Sequence, residues 1–225
     1  MIPWSLLDTA QVPGGGDPLH LRQRGSEFKI SLGTQELMSS RLSATEQALA
    51  TIGCEPIRGR DKPRVLIGGL GMGFTLRAAL IVLGEKAEIV VAELVPAVVT
   101  WARGPMAELF GGSLADPRVT IRETDVGKLI RSGRGRYDAI LLDVDNGPEG
   151  LTREANDALY DFDGLGAAYE ALRPGGVLAV WSSAPDPKFT ARLHKTGFDV
   201  KEIPLRAKGP RGGARHFIWT ATRAV

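Results

Sequence analysis

The chain reads Arg64-Val-Leu-Ile-Gly-Gly-Leu-Gly-Met-Gly-Phe-Thr-Leu-Arg-Ala-Ala-Leu-Ile-Val-Leu83 and, after three further residues, Ala87-Glu-Ile-Val-Val-Ala-Glu93. Short apolar runs, here residues 65–67 and 89–92, are typical of strands that are buried on both faces of a sheet. Between them, apolar residues recur at helical spacing directly after a cluster of glycines. This stretch therefore predicts a βαβ unit whose first turn consists of glycines.

The glycine turn contains Gly68, Gly69, Gly71 and Gly73. Glycine lets the backbone turn sharply and lets a ligand approach the main chain, and the helix that follows has free N–H groups in its first turn. A dinucleotide-binding fingerprint reads Gly-x-Gly-x-x-Gly. The spacing here is Gly-x-Gly-x-Gly, which suits an adenosyl group without a pyrophosphate. A tight turn with no ligand is the alternative.

A carboxylate stands at the end of the second strand. Glu93 follows Gly73 by twenty residues, and at this place a carboxylate can accept hydrogen bonds from both hydroxyls of a ribose. Leu94 comes next in the same turn. We interpret the whole unit as a nucleoside-binding site.

Composition narrows the class of protein. The 225 residues fit one domain with a small appendage, and a net charge of +2 is too small to indicate nucleic acid binding. The apolar runs are too short to span a bilayer. The single cysteine, Cys54, permits no intramolecular disulfide and fits a reducing compartment. We expect a cytoplasmic protein without nucleic acid or membrane partners.

Residues 1–58 form the predicted N-terminal part and residues 59–225 the predicted nucleoside-binding domain. Residues 1–25 read as a loop, and alternating residues predict a small β-hairpin from strands 27–32 and 35–38. The sequence Ser43-x-x-Glu46 matches a capping box and predicts a helix over 44–52.

Strands and helices alternate from the glycine turn onwards. Further strands are predicted at 118–122, 137–142 and 177–181, further helices at 96–110, 126–131, 159–172 and 187–196, and a closing antiparallel pair at 199–204 and 214–222. Such alternation requires parallel strands with helices on both faces. We predict an α/β fold: a three-layer, Rossmann-like class I methyltransferase fold with a mostly parallel seven-stranded sheet and an antiparallel closing strand.

Acidic residues follow three successive strands of this predicted sheet. Glu93 follows the second strand, Asp125 the third, and Asp143 and Asp145 the fourth. Ligands of parallel sheets bind outside the carboxyl ends of the strands, so we expect these acids to share one site. For each acid the alternative is a solvated strand end, and Asp125 could simply cap the next helix.

Residues 60–182 resemble the spermidine synthase (aminopropyltransferase) family. Four segments carry the resemblance: the glycine motif with Leu76-Arg77, Val91-Ala-Glu93-Leu-Val95, Asp116-Pro-Arg-Val119 with Asp125, and Tyr137-Asp-Ala-Ile-Leu-Leu-Asp143 with Gly147-Pro148. Methyltransferases usually carry an acid two residues before the first glycine of Gly-x-Gly-x-Gly. That position is Ile67 here, apolar as in the aminopropyltransferases.

The resemblance implies a set of site residues. Those implied for the cofactor are Gly68, Gly69, Gly71, Gly73, Glu93, Leu94, Asp125, Val126 and Asp143. Asp143 is implied as the catalytic base that accepts the amine proton, with Asp145 orienting the cationic substrate, and Asn146, Glu149 and Trp181 are expected near that substrate. The implied cofactor is S-adenosylmethionine or its decarboxylated form, which leaves as S-adenosylhomocysteine or methylthioadenosine. We expect no metal, and a homodimer.

The sequence departs from the family pattern at three places. The glycine turn has Leu70-Gly-Met72 where the family has an aspartate for the amine end of the decarboxylated cofactor. In the catalytic loop, which reads Asp143-Val-Asp-Asn-Gly147, the family's second acid is displaced or is replaced by Asn146. Thr45-Glu46 replace a tyrosine and a glutamine.

Three hypotheses remain open. The first is aminopropyl or methyl transfer to a small cationic amine. The second is a methyltransferase for another small molecule, favoured by the missing glycine-turn aspartate because intact S-adenosylmethionine carries its own carboxylate. The third is a non-catalytic nucleoside-binding protein, which the retention of Asp143 disfavours.

Overall fold

The computed structural model describes residues 2–144, 158–209 and 212–225. The strands are β1 (Ser5–Ala10), β2 (Leu19–Arg24), β3 (Glu27–Leu32), β4 (Gln35–Ser39), β5 (Arg64–Gly68), β6 (Glu88–Glu93), β7 (Val119–Glu123), β8 (Tyr137–Leu142), β9 (Leu172–Ser182), β10 (Asp199–Arg206) and β11 (Arg215–Thr222). The α-helices are α1 (Ala44–Cys54), α2 (Phe74–Val82), α3 (Pro96–Arg103), α4 (Ala107–Phe110), α5 (Val126–Arg131), α6 (Phe162–Ala171) and α7 (Pro187–Thr196). The predicted site residues Asp145, Asn146 and Glu149 lie outside the described residues.

Seven strands form the main sheet, in the order β10-β11-β9-β8-β5-β6-β7. Strands β5, β6, β7, β8 and β9 pair in parallel, whereas β11 runs antiparallel to both β9 and β10. The predicted α/β fold, with its mostly parallel sheet and antiparallel closing strand, is confirmed. The glycine turn follows β5, which lies at the centre of the sheet.

Helices cover both faces of the sheet, and the alternation of side chains along each strand explains why. On β5, Val65 and Ile67 pack with α1, α2 and α3, whereas Leu66 packs on the opposite face with α5, α6 and α7. Strand β8 repeats this pattern, with Leu141 on the first face and Ile140 on the second. Strands buried on both faces therefore appear as continuous apolar runs in the sequence.

The N-terminal segment corrects two expectations. Residues 1–25 are not a loop, because β1 and β2 lie within them, and the predicted hairpin is half of a four-stranded antiparallel sheet in the order β1-β2-β3-β4. Leu21 pairs with Ile30 and both are fully buried. Strand β1 is an almost entirely exposed edge strand, so its sequence shows no apolar alternation that would predict it.

Helix α1 is present as predicted, but its capping box is not. The Ser43 side chain makes no capping hydrogen bond and instead accepts one from Gln47 Nε2 at 2.9 Å. The carboxylate of Glu46 points elsewhere, as described below. Toward its C-terminal end α1 packs closely on the main sheet: a Cβ on Gly53 would lie 2.5 Å from Leu141 Cδ2. The division of the chain at residues 58 and 59 stays a prediction.

Two other predicted elements differ in extent. The helix expected over 96–110 is split into α3 and α4 at Gly104-Pro105, because proline lacks an N–H and disfavours helical backbone in the residue before it. Arg173-Pro-Gly-Gly176 ends α6 as expected, yet it belongs to the long strand β9. In the described part of the chain, every helix is too short or too polar to cross a bilayer.

Candidate functional site

A cavity of about 250 Å³ lies between the carboxyl ends of the parallel strands and the N-terminal sheet. The predicted site residues that line it are Gly69, Gly71, Gly73, Glu93, Leu94, Asp125, Val126, Asp143 and Trp181. Gly68 does not line it; a Cβ there would lie 3.1 Å from both Leu142 Cδ2 and Val126 Cγ2, so it serves the packing of β5. The fold thus brings all predicted site residues of the described chain except Gly68 to one cavity.

Two glycines of the turn are required by the protein itself. Gly69 has φ +90°, and a Cβ there would lie 2.5 Å from the backbone carbonyl oxygen of Asp143. Gly73 has φ +77°, and a Cβ would collide with the ring of Phe110. Contacts within the protein therefore explain why both positions are glycine, and no ligand is needed to explain them.

Gly71 differs from Gly69 and Gly73 because the side chain nearest to it lines the cavity. Its φ is +48°, and the nearest atom to a Cβ would be Met38 Sδ at 3.2 Å, the tip of a flexible side chain that also lines the cavity. A side chain at position 71 would therefore occupy space that the fold leaves open to a ligand.

Gly71→Ala is expected to weaken methylthioadenosine binding at least about tenfold. Left-handed backbone costs a non-glycine residue about 1–2 kcal/mol, so the variant also loses stability. Gly135→Ala is the matched control, since Gly135 has a similar φ of +57° with no atom within 4 Å of a Cβ. Calorimetry should show weaker binding only in Gly71→Ala; equal binding by the two variants would make Gly71 a purely structural glycine.

Glu93 holds the two turns on either side of the cavity together. Its Oε2 accepts a hydrogen bond from the Leu70 N–H at 2.9 Å and its Oε1 one from the Val95 N–H at 2.8 Å. The side chain is 7% exposed, and burial raises the pKa of its carboxyl, opposed by these backbone hydrogen bonds. The backbone N–H groups of Gly71 and Leu94 also lower this pKa, and a contact of Glu93 with ribose hydroxyls stays a prediction. The sequence predicts a ribose contact for Glu93, but it does not predict that the carboxylate joins the two turns.

Asp125 both caps a helix and lines the cavity. Its Oδ1 accepts a hydrogen bond from the Gly127 N–H at 2.6 Å, at the N-terminus of α5. The capping alternative is therefore correct. Because only one of the two oxygens caps the helix, the other is available at the cavity wall, and a nucleoside contact by Asp125 stays a prediction.

Asp143 lies directly after β8, and its side chain is held from a neighbouring helix. Thr75 Oγ1, in the first turn of α2, donates a hydrogen bond to Asp143 Oδ2 at 2.7 Å. Burial raises the pKa of the Asp143 carboxyl, and the bond from Thr75 opposes this only in part. A carboxyl in this setting can exchange a proton with a bound amine.

Glu46 is a site residue that sequence reasoning did not include. It projects from α1 into the cavity, and its Oε2 accepts a hydrogen bond from Thr45 Oγ1 at 2.9 Å. Burial, and secondarily the negative charge of Asp143, raise the pKa of Glu46 to about 7. The sequence contained a sign of this role, because Glu46 is charged where the resemblance predicts an uncharged glutamine. The match to a capping box offered a different explanation for the same residue.

The N-terminal sheet supplies the wall opposite the glycine turn. Leu19, Ile30 and Leu32 line the cavity from β2 and β3, and Asp17 lines it from the loop before β2. The sequence predicted no role for this segment in the site. The signal that could have found it is the alternation of Leu19 and Leu21 with His20 and Arg22.

Apolar residues and glycines form most of the cavity lining, and acidic side chains provide its charge. Its charged lining residues are Asp17, Glu46, Glu93, Asp125 and Asp143, and in the described part of the chain no Lys, Arg or His lines it. Acids facing one enclosed space repel each other unless a cation joins them. This arrangement favours a cationic ligand.

Trp181, at the end of β9, also lines the cavity. Its ring packs edge-on against His216, with 4.8 Å between ring centroids. Its Nε1–H is buried and has no hydrogen-bond partner among the described residues. Contact of Trp181 with a substrate stays a prediction. Across the described ranges no group of three His, Cys, Asp or Glu side chains is arranged to hold a metal ion.

Comparison with known proteins identifies the kind of chain this one resembles. It is 32% identical over 123 residues to polyamine aminopropyltransferase 1 of Streptomyces coelicolor and 33% identical over 125 residues to the polyamine aminopropyltransferase of Mycobacterium tuberculosis. These relatives are aminopropyltransferases. Each match covers 54% of this chain but only 22% and 23% of the two relatives. No protein-family model matches the chain.

Solved structures agree with the sequence comparison. The spermidine synthase of Thermotoga maritima superposes with a TM-score of 0.76 over 98% of this chain and 73% of its own, at 18% identity. A spermidine synthase in complex with the transition state analogue AdoDATO gives a TM-score of 0.75 with the same coverage. The chain therefore has the spermidine synthase fold, and the resemblance predicted from its motifs is confirmed.

Proposed function

We propose that this protein transfers an aminopropyl group from decarboxylated S-adenosylmethionine to a small cationic amine. The observation that carries the proposal is the acidic cavity next to the glycine turn, in a chain whose relatives are polyamine aminopropyltransferases. The donor carries a sulfonium and an ammonium group and the acceptor a further ammonium. Five cavity acids suit such ligands, since no Lys, Arg or His among the described residues lines the cavity.

The nucleoside half of the donor would bind at the glycine turn. The Glu93 carboxylate would accept hydrogen bonds from the ribose hydroxyls, and Asp125 would bind on the adenine side. Leu94 and Val126 would pack against the base, since apolar side chains line most small-molecule sites. Gly71 would leave room for the sulfonium end. A neutral thioadenosine product would bind the same half.

Transfer needs an uncharged amine and correct placement. The bound donor supplies a carbon made electrophilic by its sulfonium, which leaves as a neutral thioether. Asp143 would take the proton from the acceptor ammonium, so that the nitrogen lone pair can form the new C–N bond as the C–S bond breaks. Its raised pKa suits proton exchange, and Thr75 fixes its position.

The intact cofactor is the weaker alternative. S-adenosylmethionine carries a carboxylate that the decarboxylated form lacks, and the described lining of the cavity has no basic side chain to pair with it. Leu70 and Met72 replace the expected aspartate of the glycine turn, but Glu46 and Asp143 provide acids from other elements of the same cavity. The cytoplasmic location, the homodimer and the absence of nucleic acid partners stay predictions.

Decarboxylated S-adenosylmethionine is expected to bind at least about tenfold more tightly than S-adenosylmethionine, because one unpaired carboxylate in an acidic cavity costs well over 1.4 kcal/mol. Calorimetry with both compounds would test this. Mass spectrometry of reactions with a panel of amines should then show methylthioadenosine and an aminopropylated amine. Tighter binding of the intact form, with methylated products, would replace this proposal by the methyltransferase alternative.

A further inference from the structure

Glu46 and Asp143 come from distant parts of the chain and meet at one end of the cavity. Thr75 Oγ1 lies 2.7 Å from Asp143 Oδ2 and 3.3 Å from the backbone carbonyl oxygen of Glu46, so a single hydroxyl joins α2 to both α1 and the end of β8. Both acids line the cavity. The negative charge of Asp143 contributes to the raised pKa of Glu46, so the two carboxyl groups interact.

The hydroxyl of Thr45 links the Glu46 side chain to β11. Thr45 Oγ1 lies 2.9 Å from Glu46 Oε2 and 3.0 Å from His216 Nδ1 on β11. Burial lowers the pKa of His216, so this imidazole does not supply a compensating positive charge. None of the cationic side chains in the described chain forms an ion pair with Glu46.

Asp138 is a buried acid whose burial is explained by cationic partners. Asp138 is 1% exposed, but it pairs with Arg60 and Arg173 at 2.6 and 2.8 Å. Asp143 accepts a hydrogen bond from the Thr75 hydroxyl, and Glu46 accepts hydrogen bonds from the Thr45 hydroxyl and from the backbone N–H groups of Thr45 and Glu46. Neither acid has a cationic partner among the described residues, and both line the open cavity. The missing positive charge is therefore expected to come from a ligand.

We propose that Glu46 is a second amine-binding carboxylate, which together with Asp143 holds the acceptor ammonium and restricts acceptors to amines that are cationic at the reacting nitrogen. The inference rests on the proposed function, which makes this cavity the transfer site. Asp143 takes one proton from the R–NH3⁺ group, the resulting R–NH2 forms the C–N bond, and the thioether leaves with the electrons of the C–S bond. Glu46 keeps its charge and holds the nitrogen in line. The proton on Asp143 returns to water when the products leave.

The test compares amine binding with nucleoside binding in Glu46→Gln. Glutamine keeps the length of the side chain, and its carbonyl oxygen can still accept the Thr45 hydrogen bond. In protein saturated with methylthioadenosine, affinity for 1,4-diaminobutane should fall at least about tenfold, while affinity for methylthioadenosine should stay within about twofold. Glu55→Gln is the matched control, because Glu55 is exposed beyond the end of α1.

A pH series separates binding from a merely structural role. The amine stays protonated from pH 6 to 8, as its pKa is about 10. The groups that face Glu46 are Asp143 and, through Thr45, His216; Asp17, Glu93 and Asp125 line the same cavity. Because the pKa of Glu46 is about 7, wild-type amine affinity should rise from pH 6 to 8, and Glu46→Gln should flatten this rise.

The outcomes distinguish this inference from the proposed function. If amine binding depends on Glu46 but the protein shows no transfer, the inference is supported and the proposed aminopropyl transfer is rejected. Transfer by the wild type with undiminished amine affinity in Glu46→Gln would overturn the inference alone. An equal loss of amine and nucleoside affinity, or no amine binding by the wild type at pH 8, would also overturn it.

Discussion

Replacing Asp143 by asparagine is expected to lower the rate of transfer by a factor on the order of 100 or more, with nucleoside binding nearly intact. The asparagine carbonyl can accept the hydrogen bond that Thr75 Oγ1 donates at 2.7 Å, so the geometry is retained. The amide cannot take a proton from the amine. Rates under single-turnover conditions, with calorimetry for methylthioadenosine, would measure both effects.

The stabilities of Asp143→Asn and Asp143→Ala together separate a catalytic role from a capping role. Burial raises the folded-state pKa of this carboxyl, so its contribution to stability is fully present below the unfolded pKa and is lost as pH rises through the folded value. At pH 8 the neutral asparagine should therefore leave the melting temperature unchanged or higher. A capping role would appear only in Asp143→Ala, because an N-cap aspartate loses about 1 kcal/mol on replacement by alanine, whereas asparagine caps a helix about as well as aspartate.

Asp199→Asn is the control for this prediction. Asp199 is an exposed acid at the start of β10, and its replacement removes one negative charge outside the cavity. This variant should transfer at the wild-type rate. Full activity in a stable Asp143→Asn protein would remove Asp143 from the mechanism and make another acid the base.

Replacing Glu93 by glutamine is expected to lower nucleoside affinity at least about tenfold and also to destabilise the fold. Both oxygens of Glu93 accept backbone hydrogen bonds, from Leu70 at 2.9 Å and Val95 at 2.8 Å. A glutamine has only one such oxygen, so its NH2 group must face one of these N–H groups in either orientation. One buried unsatisfied donor costs about 1–3 kcal/mol.

Urea unfolding and calorimetry with methylthioadenosine would measure the two losses separately. Glu88→Gln provides the control, because Glu88 lies on the same strand β6 and its side chain is 55% exposed in a surface ion pair with Arg64. Surface pairs contribute about 0–1 kcal/mol, so that variant should remain close to the wild type. Wild-type nucleoside affinity in a folded Glu93→Gln protein would contradict the ribose-binding role.

Several parts of the site followed directly from local sequence patterns. The apolar runs of β5 and β6, with the glycine turn and helix between them, predicted a parallel βαβ pair, and the carboxyl ends of parallel strands meet at one edge of a sheet. Glu93, Asp125 and Asp143 could therefore be placed at a shared cavity from their positions after three strands. Periodicity and strand direction are local properties, which is why the sequence is informative about them.

The errors concern contacts between distant segments. Ser43 and Glu46 match a capping box by spacing alone, but Glu46 turns to the cavity, where its Thr45 neighbour meets His216, 171 residues away. The exposed edge strand β1 has no apolar alternation, and the short alternation of β2 follows a stretch rich in glycine and proline, so the sequence predicts a hairpin where the structure has a four-stranded sheet. Tertiary packing overrode the local pattern in both places.

The sequence by itself determined the main sheet, the glycine turn and the edge at which the acids collect, because these depend on residue spacing within each element. Only the tertiary structure decided what faces the glycine turn. The N-terminal sheet covers it, Glu93 joins the two turns beside it, and Glu46 meets Asp143 across a shared threonine. Which carboxylates are buried together, and hence which pKa values rise, depends on helices and strands that pack across the sheet from far along the chain.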